Sequence, residues 1–265
     1  RAIVNLVKVT AGKVRIDGRD VNTLTASERH HNRRKIQMIF QDPFASLNPR
    51  MTVGKIIREP MEIHGMYDRT TRKLEVMRLM DLVGLNLRFM NRYPHEFSGG
   101  QRQRVGIARA MASHPKLIIC DEAVSALDVS IQAQVINLLM DLQQKVGMAY
   151  LFIAHDLAVV RHVADRVGVM YLGRIVELAS AKKLYDSPFH PYTRALLSSV
   201  PTPDPSLKST QQRILLSGEV PSPDKIYLGC PFSDRCNEVE PGCRDDFPVL
   251  KGKEHQVSCF VHEKK

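Results

Sequence analysis

The strongest constraint on the fold is a strand–helix–strand unit in the middle of the chain. An apolar run from Lys116 to Glu122, a periodic stretch from Gln132 to Lys145 and a second apolar run from Ala149 to His155 follow in close succession. Val135, Leu138, Leu139 and Leu142 recur at helical spacing, so the middle segment buries one face. Two short apolar strands joined by such a helix predict an α/β fold with a largely parallel core. The alternation predicts strands at 13–17, 36–40, 117–120, 150–154 and 167–171. It predicts helices at 52–64, 72–83, 100–112, 131–145 and 157–165, and residues 1–7 read as the middle of an amphipathic helix. In an open parallel sheet, functional groups gather where the strands end.

One strand end carries the strongest chemistry. Leu117-Ile-Ile-Cys-Asp121-Glu122 finishes in two adjacent carboxylates. A strand-end Asp suits contact with Mg²⁺ on a nucleotide phosphate, and the neighbouring Glu suits polarisation of an attacking water. An ordinary acidic loop after a strand would look the same. Phe97-Ser98-Gly99-Gly100-Gln101 opens a helix that carries Arg102, Arg104 and Arg109. Its glycines admit close backbone approach and its free amides attract phosphate, while Ser98 serves as N-cap or as a phosphate donor. Gln41 and His155 follow two further strands. A phosphate site is the economical reading of the four together.

Composition limits the alternatives. With 43% apolar and 25% charged residues the chain is neither disordered nor collagen-like. The longest conspicuous apolar run, Met148 to Ala154, is far short of the roughly 18 residues that span a bilayer. The net charge is +10, but residues 201–265 hold nine Lys/Arg against ten Asp/Glu, so the body alone carries +11. That suggests an anionic partner, yet the chain has no Trp and no nucleic-acid module, and no nucleic-acid partner is expected. Eight of the fifteen prolines and four of the five cysteines also fall in residues 201–265. The expected layout is a body over 1–185, a helical connector to about 200, an extended linker at Pro201-Thr-Pro-Asp-Pro205 and a small Cys-bearing tail.

Taken in order, these motifs resemble the ABC ATPases. Phe97-Ser-Gly-Gly-Gln101 is similar to their signature motif, and Leu117 to Glu122 to their Walker B strand with its catalytic carboxylate. Ser125-Ala-Leu-Asp128 resembles the D-loop, Gln41 the Q-loop glutamine and His155 the switch histidine. The resemblance implies a P-loop NTPase-like ABC ATPase core over 1–185, with a helical subdomain at about 45–110. Gln41-Asp-Pro-Phe-Ala-Ser-Leu-Asn-Pro49, the run from Asp121 to Gln134, and His190-Pro-Tyr-Thr-Arg-Ala-Leu-Leu197 are similar to bacterial dipeptide and oligopeptide importers. So are Gly218-Glu-Val-Pro-Ser-Pro223 and Gly229-Cys-Pro-Phe-Ser-Asp-Arg-Cys236, which place an importer-type C-terminal extension at 186–265.

The resemblance implies a peripheral ATPase at the cytoplasmic face of the membrane, binding ATP and Mg²⁺ and powering peptide uptake. Its partners would be integral permease subunits, a second ATPase subunit in a head-to-tail dimer and, indirectly, a peptide-binding protein. Gln41 would sense Mg²⁺ and the permease, Asp121 would assist Mg²⁺, Glu122 would act on water and His155 would contact the γ-phosphate. Ser98, Gly99, Gly100 and Gln101 would close over nucleotide held by the other subunit, with Asp128 beside them. A soluble ABC ATPase of translation or DNA repair is a weaker reading, since it would not need the tail.

The 265 residues contain no Gly-x-x-x-x-Gly-Lys-Ser/Thr loop; the pairs at Gly12, Gly54 and Gly252 all lack the pattern. The expectation is an N-terminally truncated subunit whose parent hydrolyses ATP. The printed chain alone is expected to be inactive and poorly folding; a non-hydrolytic regulatory remnant is the alternative. Cys230, Cys236, Cys243 and Cys259 are separated by five, six and fifteen residues. Four thiolates could ligate a metal or an iron–sulfur centre, although no Cys-x-x-Cys pair supports a zinc ribbon. The resemblance implies a [4Fe–4S] cluster; reduced structural thiols and disulfides are the alternatives. Cys120 is expected to be a core residue.

Overall fold

Two Asp/Gly or Leu/Gly turns decide how the outer strands pair. In the computed structural model, which describes residues 2–200, 213–219, 222 and 227–263, β1 (Arg15–Ile16) turns back onto β2 (Arg19–Asp20). The turn residues Asp17 and Gly18 have φ of +49° and +80°, the left-handed pair that a tight hairpin needs. The strand expected over 13–17 is therefore two residues long and antiparallel. The expected helix at the beginning is also absent. Residues 2–5 form a single turn closed by the Asn5 amide on the Ala2 carbonyl (3.0 Å), and left-handed Asn5 (φ +57°) ends it.

Next comes α1 (Ala26–Lys35), a helix with no buried residue and no apolar periodicity. It begins in a capping box, where the Thr25 hydroxyl accepts from the Glu28 amide and the Glu28 carboxylate accepts from the Thr25 amide. It leads into β3 (Ile36–Ile39), then into a helical block of α2 (Pro43–Ser46), α3 (Val53–Ile63), α4 (Arg69–Leu82) and α5 (Gly99–Met111). Beyond lie β4 (Leu117–Asp121), α6 (Val129–Val146) and β5 (Ala149–Ile153). β4 is flanked by β3 and β5, both parallel to it, with Ile39 opposite Cys120 and Cys120 opposite Phe152. Val135, Leu139 and Leu142 of α6, Ile107 and Ala108 of α5, and Ile118, Ile119 and Cys120 of β4 are buried. Cys120 is a core thiol whose titration burial pushes far up. The parallel core expected from the alternation is present; Phe40 leaves its strand one residue early.

The chain divides into two compact units, Arg1–His155 and Asp156–Lys265. The second opens with α7 (Leu157–Val163), which ends at the Ala164 cap before residue 165. β6 (Arg166–Tyr171) and β7 (Arg174–Ser180) follow; they pair antiparallel across Leu172 (φ +44°) and Gly173 (φ +77°). The strand expected at 167–171 is thus half of a hairpin and lies outside the parallel sheet. Helices α8 (Ala181–Asp186) and α9 (Pro191–Ser198) come next, and the latter occupies the expected connector. After short α10 (Gly242–Asp245) come β8 (Gln256–Val257), which pairs with β7, and α11 (Phe260–Glu263). Val167, Val169, Tyr171, Val176, Ala179, Leu184 and Phe232 form this unit's core. That shared core ties the β6–β7 hairpin to the C-terminal residues, so this unit begins ahead of residue 185. The linker expected at 201–205 lies outside the described residues. Among the described residues no helix is long and apolar enough to cross a membrane.

Candidate functional site

Parallel pairing brings the ends of β3, β4 and β5 to one edge of the sheet, and three of the expected residues meet there. Gln41 Nε2 donates to Glu122 Oε2 at 2.7 Å. His155 Nδ1 faces the other carboxylate oxygen, Glu122 Oε1, at 3.7 Å. The Glu122 side chain is 31% exposed and that of His155 70%, so the carboxylate is sheltered but open to water.

The backbone at Glu122 is unusual. Its φ is +46°, a left-handed conformation that costs a non-glycine residue about 1–3 kcal/mol. Neighbouring groups hold it there. The Glu122 amide donates to the Ile153 carbonyl (2.9 Å), while its own carbonyl accepts from the Ser125 amide (3.1 Å) and hydroxyl (2.9 Å). Asp121, the last residue of β4, pairs with Ile153 and is half-buried. Its carboxylate and the Gln41 amide carbonyl are hard oxygen donors. They suit Mg²⁺ carried on a phosphate, which takes its remaining ligands from phosphate and water.

Ser98, Gly99, Gly100 and Gln101 form a second group. Ser98 is the N-cap of α5. Its Oγ accepts from the Gln101 amide (3.3 Å) and its amide donates to Gln101 Oε1 (3.0 Å). An accepting hydroxyl keeps its proton to donate, so the cap and phosphate-donor roles are compatible. Gly99 lies beside Leu127, and Gly100 packs so closely on Ile131 that a Cβ there would overlap the Ile131 Cγ2 methyl. Asp128 caps the start of α6 by position; it is exposed and makes no side-chain cap bond.

Comparison with known proteins identifies the family. Residues 1–125 match the family model described as "ABC transporter", and 176–243 match "Oligopeptide/dipeptide transporter, C-terminal region". The oligopeptide transport ATP-binding protein OppF of Salmonella typhimurium is 56% identical over 262 residues, covering 98% of this chain and 78% of the relative. AppF of Bacillus subtilis, also named an oligopeptide transport ATP-binding protein, is 52% identical over 265 residues, covering 99% and 80%. The chain belongs to the ABC transporter family. Among solved structures, the ATP-binding cassette MJ0796, in a dimeric post-hydrolysis state bound to ADP and Pi, is 30% identical. It superposes with a TM-score of 0.58 over 65% of this chain and 74% of that one. CbiO1 of Clostridium perfringens, part of an ABC transporter complex, has the same fold at a TM-score of 0.63 and 23% identity, over 70% and 72%. The parallel sheet with its helical block is the α/β ABC ATPase core.

The transporter-type C-terminal region bears on one further expectation. Cys230, Cys236, Cys243 and Cys259 do converge, lining one cavity with His190 and Phe232. All four are free thiols. The cavity measures about 10 Å³, barely a water molecule. Among the described residues no group of three or more His, Cys, Asp or Glu is placed to hold a metal ion. Burial pushes the Cys230 thiol up to about 11 and also raises those of Cys236 and Cys259. Among the described residues, then, nothing in the packing of these free thiols supports a [4Fe–4S] cluster.

Two ABC-core and extension residues have roles that the motifs do not announce. Gln103, 1% exposed on α5, donates from Nε2 to the Ala123 carbonyl at 2.5 Å. A polar residue inside a helical period carries no mark of where it will point. Glu177, fully buried on β7, accepts from the Phe189 amide (2.7 Å), the His190 amide (2.9 Å) and His255 Nε2 (2.7 Å). Here a signal exists: a lone carboxylate within the apolar run Ile175-Val-Glu-Leu-Ala179.

Proposed function

We propose that this chain belongs to an ATP-hydrolysing subunit that energises uptake of dipeptides or oligopeptides through a membrane permease, hydrolysis being the activity of the parent subunit. The observation that carries the reading is the Gln41–Glu122–His155 group at the carboxyl edge of the parallel sheet. The names of the close relatives supply the substrate class. Glu122 orients and polarises the attacking water, with Oε2 fixed by Gln41 and Oε1, which His155 faces, taking the proton. His155, open to solvent beside Glu122, donates to the γ-phosphate. Asp121 and the Gln41 carbonyl would hold Mg²⁺, which when bound would supply positive charge against the phosphate oxygens. Ser98 to Gln101 and Asp128 form the face presented to nucleotide on a second ATPase subunit, where the amides of the α5 N-terminus favour an anion. The subunit works peripherally, at the cytoplasmic face, docked on integral permease subunits that a peptide-binding protein supplies.

The test is ATP hydrolysis and peptide uptake by the assembled transporter in proteoliposomes. Glu122→Gln keeps the shape and the Gln41 contact but removes the base. It is expected to lower ATP turnover by about 10²-fold or more, within the usual range for a general base, and to stop uptake while leaving nucleotide binding intact. Wild-type turnover in Glu122→Gln would refute the assignment.

A further inference from the structure

Gln103 is the one buried polar side chain of α5, whose other buried residues are apolar or small. Gly100, Val105, Gly106, Ile107, Ala108, Ala110 and Met111 are buried with it. A primary amide buried there costs free energy unless it is hydrogen-bonded, and its Nε2 is committed to the carbonyl of Ala123, the residue after Glu122. The Glu122 turn is thereby pinned on three sides: by Ile153 from the sheet, by Ser125 from within the turn, and by Gln103 from the helix. Gln103 also lies four residues from Gly99, one turn along the same face of α5. Gly100 is locked against Ile131 of α6. The helix that begins at Ser98 is therefore bonded directly to the carboxylate turn through Gln103.

Resting on the reading of Glu122 as the carboxylate that acts on water, we propose that Gln103 is a positioning residue for it. It ties the Glu122 turn to the end of α5 that meets the second subunit's nucleotide. A ligand engaged at Ser98–Gln101 is thereby registered against the carboxylate of the same chain, which serves the other nucleotide of the pair. Closure at one site sets the geometry at the other.

Single-turnover hydrolysis of radiolabelled ATP by the assembled transporter tests this with Gln103→Met, Glu122→Gln and the double variant. Gln103→Met preserves length and burial but has no donor. It is expected to lower kcat about tenfold or more, since displacement by an ångström can cost 10²-fold, with KM for ATP unchanged. In the Glu122→Gln background it is expected to cost nothing further. Equal losses in both backgrounds, or an unchanged kcat, would sink the Gln103 assignment while Glu122 kept its role. Wild-type turnover in Glu122→Gln would remove the underlying reading and the proposal with it. Should Gln103→Met fail to fold, Gln103→Glu replaces it. A buried acid there donates only when protonated, so its kcat relative to wild type is expected to rise as pH falls from 8.5 to 6. A flat ratio would overturn the coupling.

Discussion

Gly99 and Gly100 stand side by side at the start of α5, and the structure gives them different reasons to be glycine. Neither has a left-handed φ, so neither is required by backbone conformation. At Gly100 a Cβ would overlap the Ile131 Cγ2 methyl; at Gly99 it would rest 3.4 Å from Leu127 Cδ2, the flexible end of a leucine. Ile131 is β-branched and helical, so its χ1 is held in one rotamer and the methyl cannot swing aside. Forcing a methyl into a packed contact costs roughly 1–3 kcal/mol. Alanine recovers up to about 1 kcal/mol of helix propensity over glycine, less in a first turn. Gly100→Ala is thus expected to lose about 1–2 kcal/mol, and Gly99→Ala to lose nothing or gain slightly.

The assay is equilibrium urea unfolding followed by far-ultraviolet circular dichroism. With a slope of about 2 kcal/mol/M, Gly100→Ala should lower the midpoint by roughly 0.5–1 M without changing the slope. Adding Ile131→Ala deletes the obstructing methyl, so the Gly100→Ala loss should shrink in that background by about 1 kcal/mol. An unshifted midpoint for Gly100→Ala, or an equal drop for Gly99→Ala, would refute the packing argument. The contrast also isolates chemistry: if Gly99→Ala folds as wild type yet loses ATP turnover, the loss belongs to the ligand side of the glycine.

Two further expectations concern the second unit. Glu177→Gln replaces an acceptor of three hydrogen bonds with a side chain that must point N–H groups at donors, and should cost about 3 kcal/mol. Faster hydrogen exchange at the Phe189 and His190 amides, with a lower thermal midpoint, would show it; unchanged exchange would count against the role given to this carboxylate. His190 is pushed down to about 4 by burial, so it stays neutral when folded while the unfolded chain takes a proton from about pH 6.5 downward. Its contribution is therefore constant above pH 6.5 and declines toward pH 4, by about 3 kcal/mol in all at 1.36 kcal/mol per unit. Its Nδ1 accepts from the Tyr192 amide as the cap of α9. Asparagine can make that cap without titrating, so His190→Asn should flatten the acid limb of a stability–pH curve; an identical limb would refute the assignment.

Why some of this was legible from residue order and some not follows from what each element is stabilised by. The Gln41, Glu122 and His155 segments were readable because parallel strands end on one edge, so three distant motifs after three apolar runs had one place to meet. α1 was not, because it has no buried face. Only the Thr25–Glu28 capping box marks it, a local signal weaker than periodicity. β7 was hidden for the opposite reason: its buried residues Val176, Glu177 and Ala179 do not alternate, and its partner β6 is reached through a two-residue turn. The four tail cysteines show the limit of counting ligands. Their spacing permits a cage and they do line one cavity, but it measures only about 10 Å³ and is shared with His190 and Phe232. Gln103 lies furthest from view. A glutamine within Gln101-Arg-Gln-Arg104 looks like one more solvated polar residue, and only the placement of the Ala123 carbonyl turns it into a strut. Residues whose partner is a backbone atom on another segment leave no pattern of their own. Here that class includes the side chain that joins the two halves of the site.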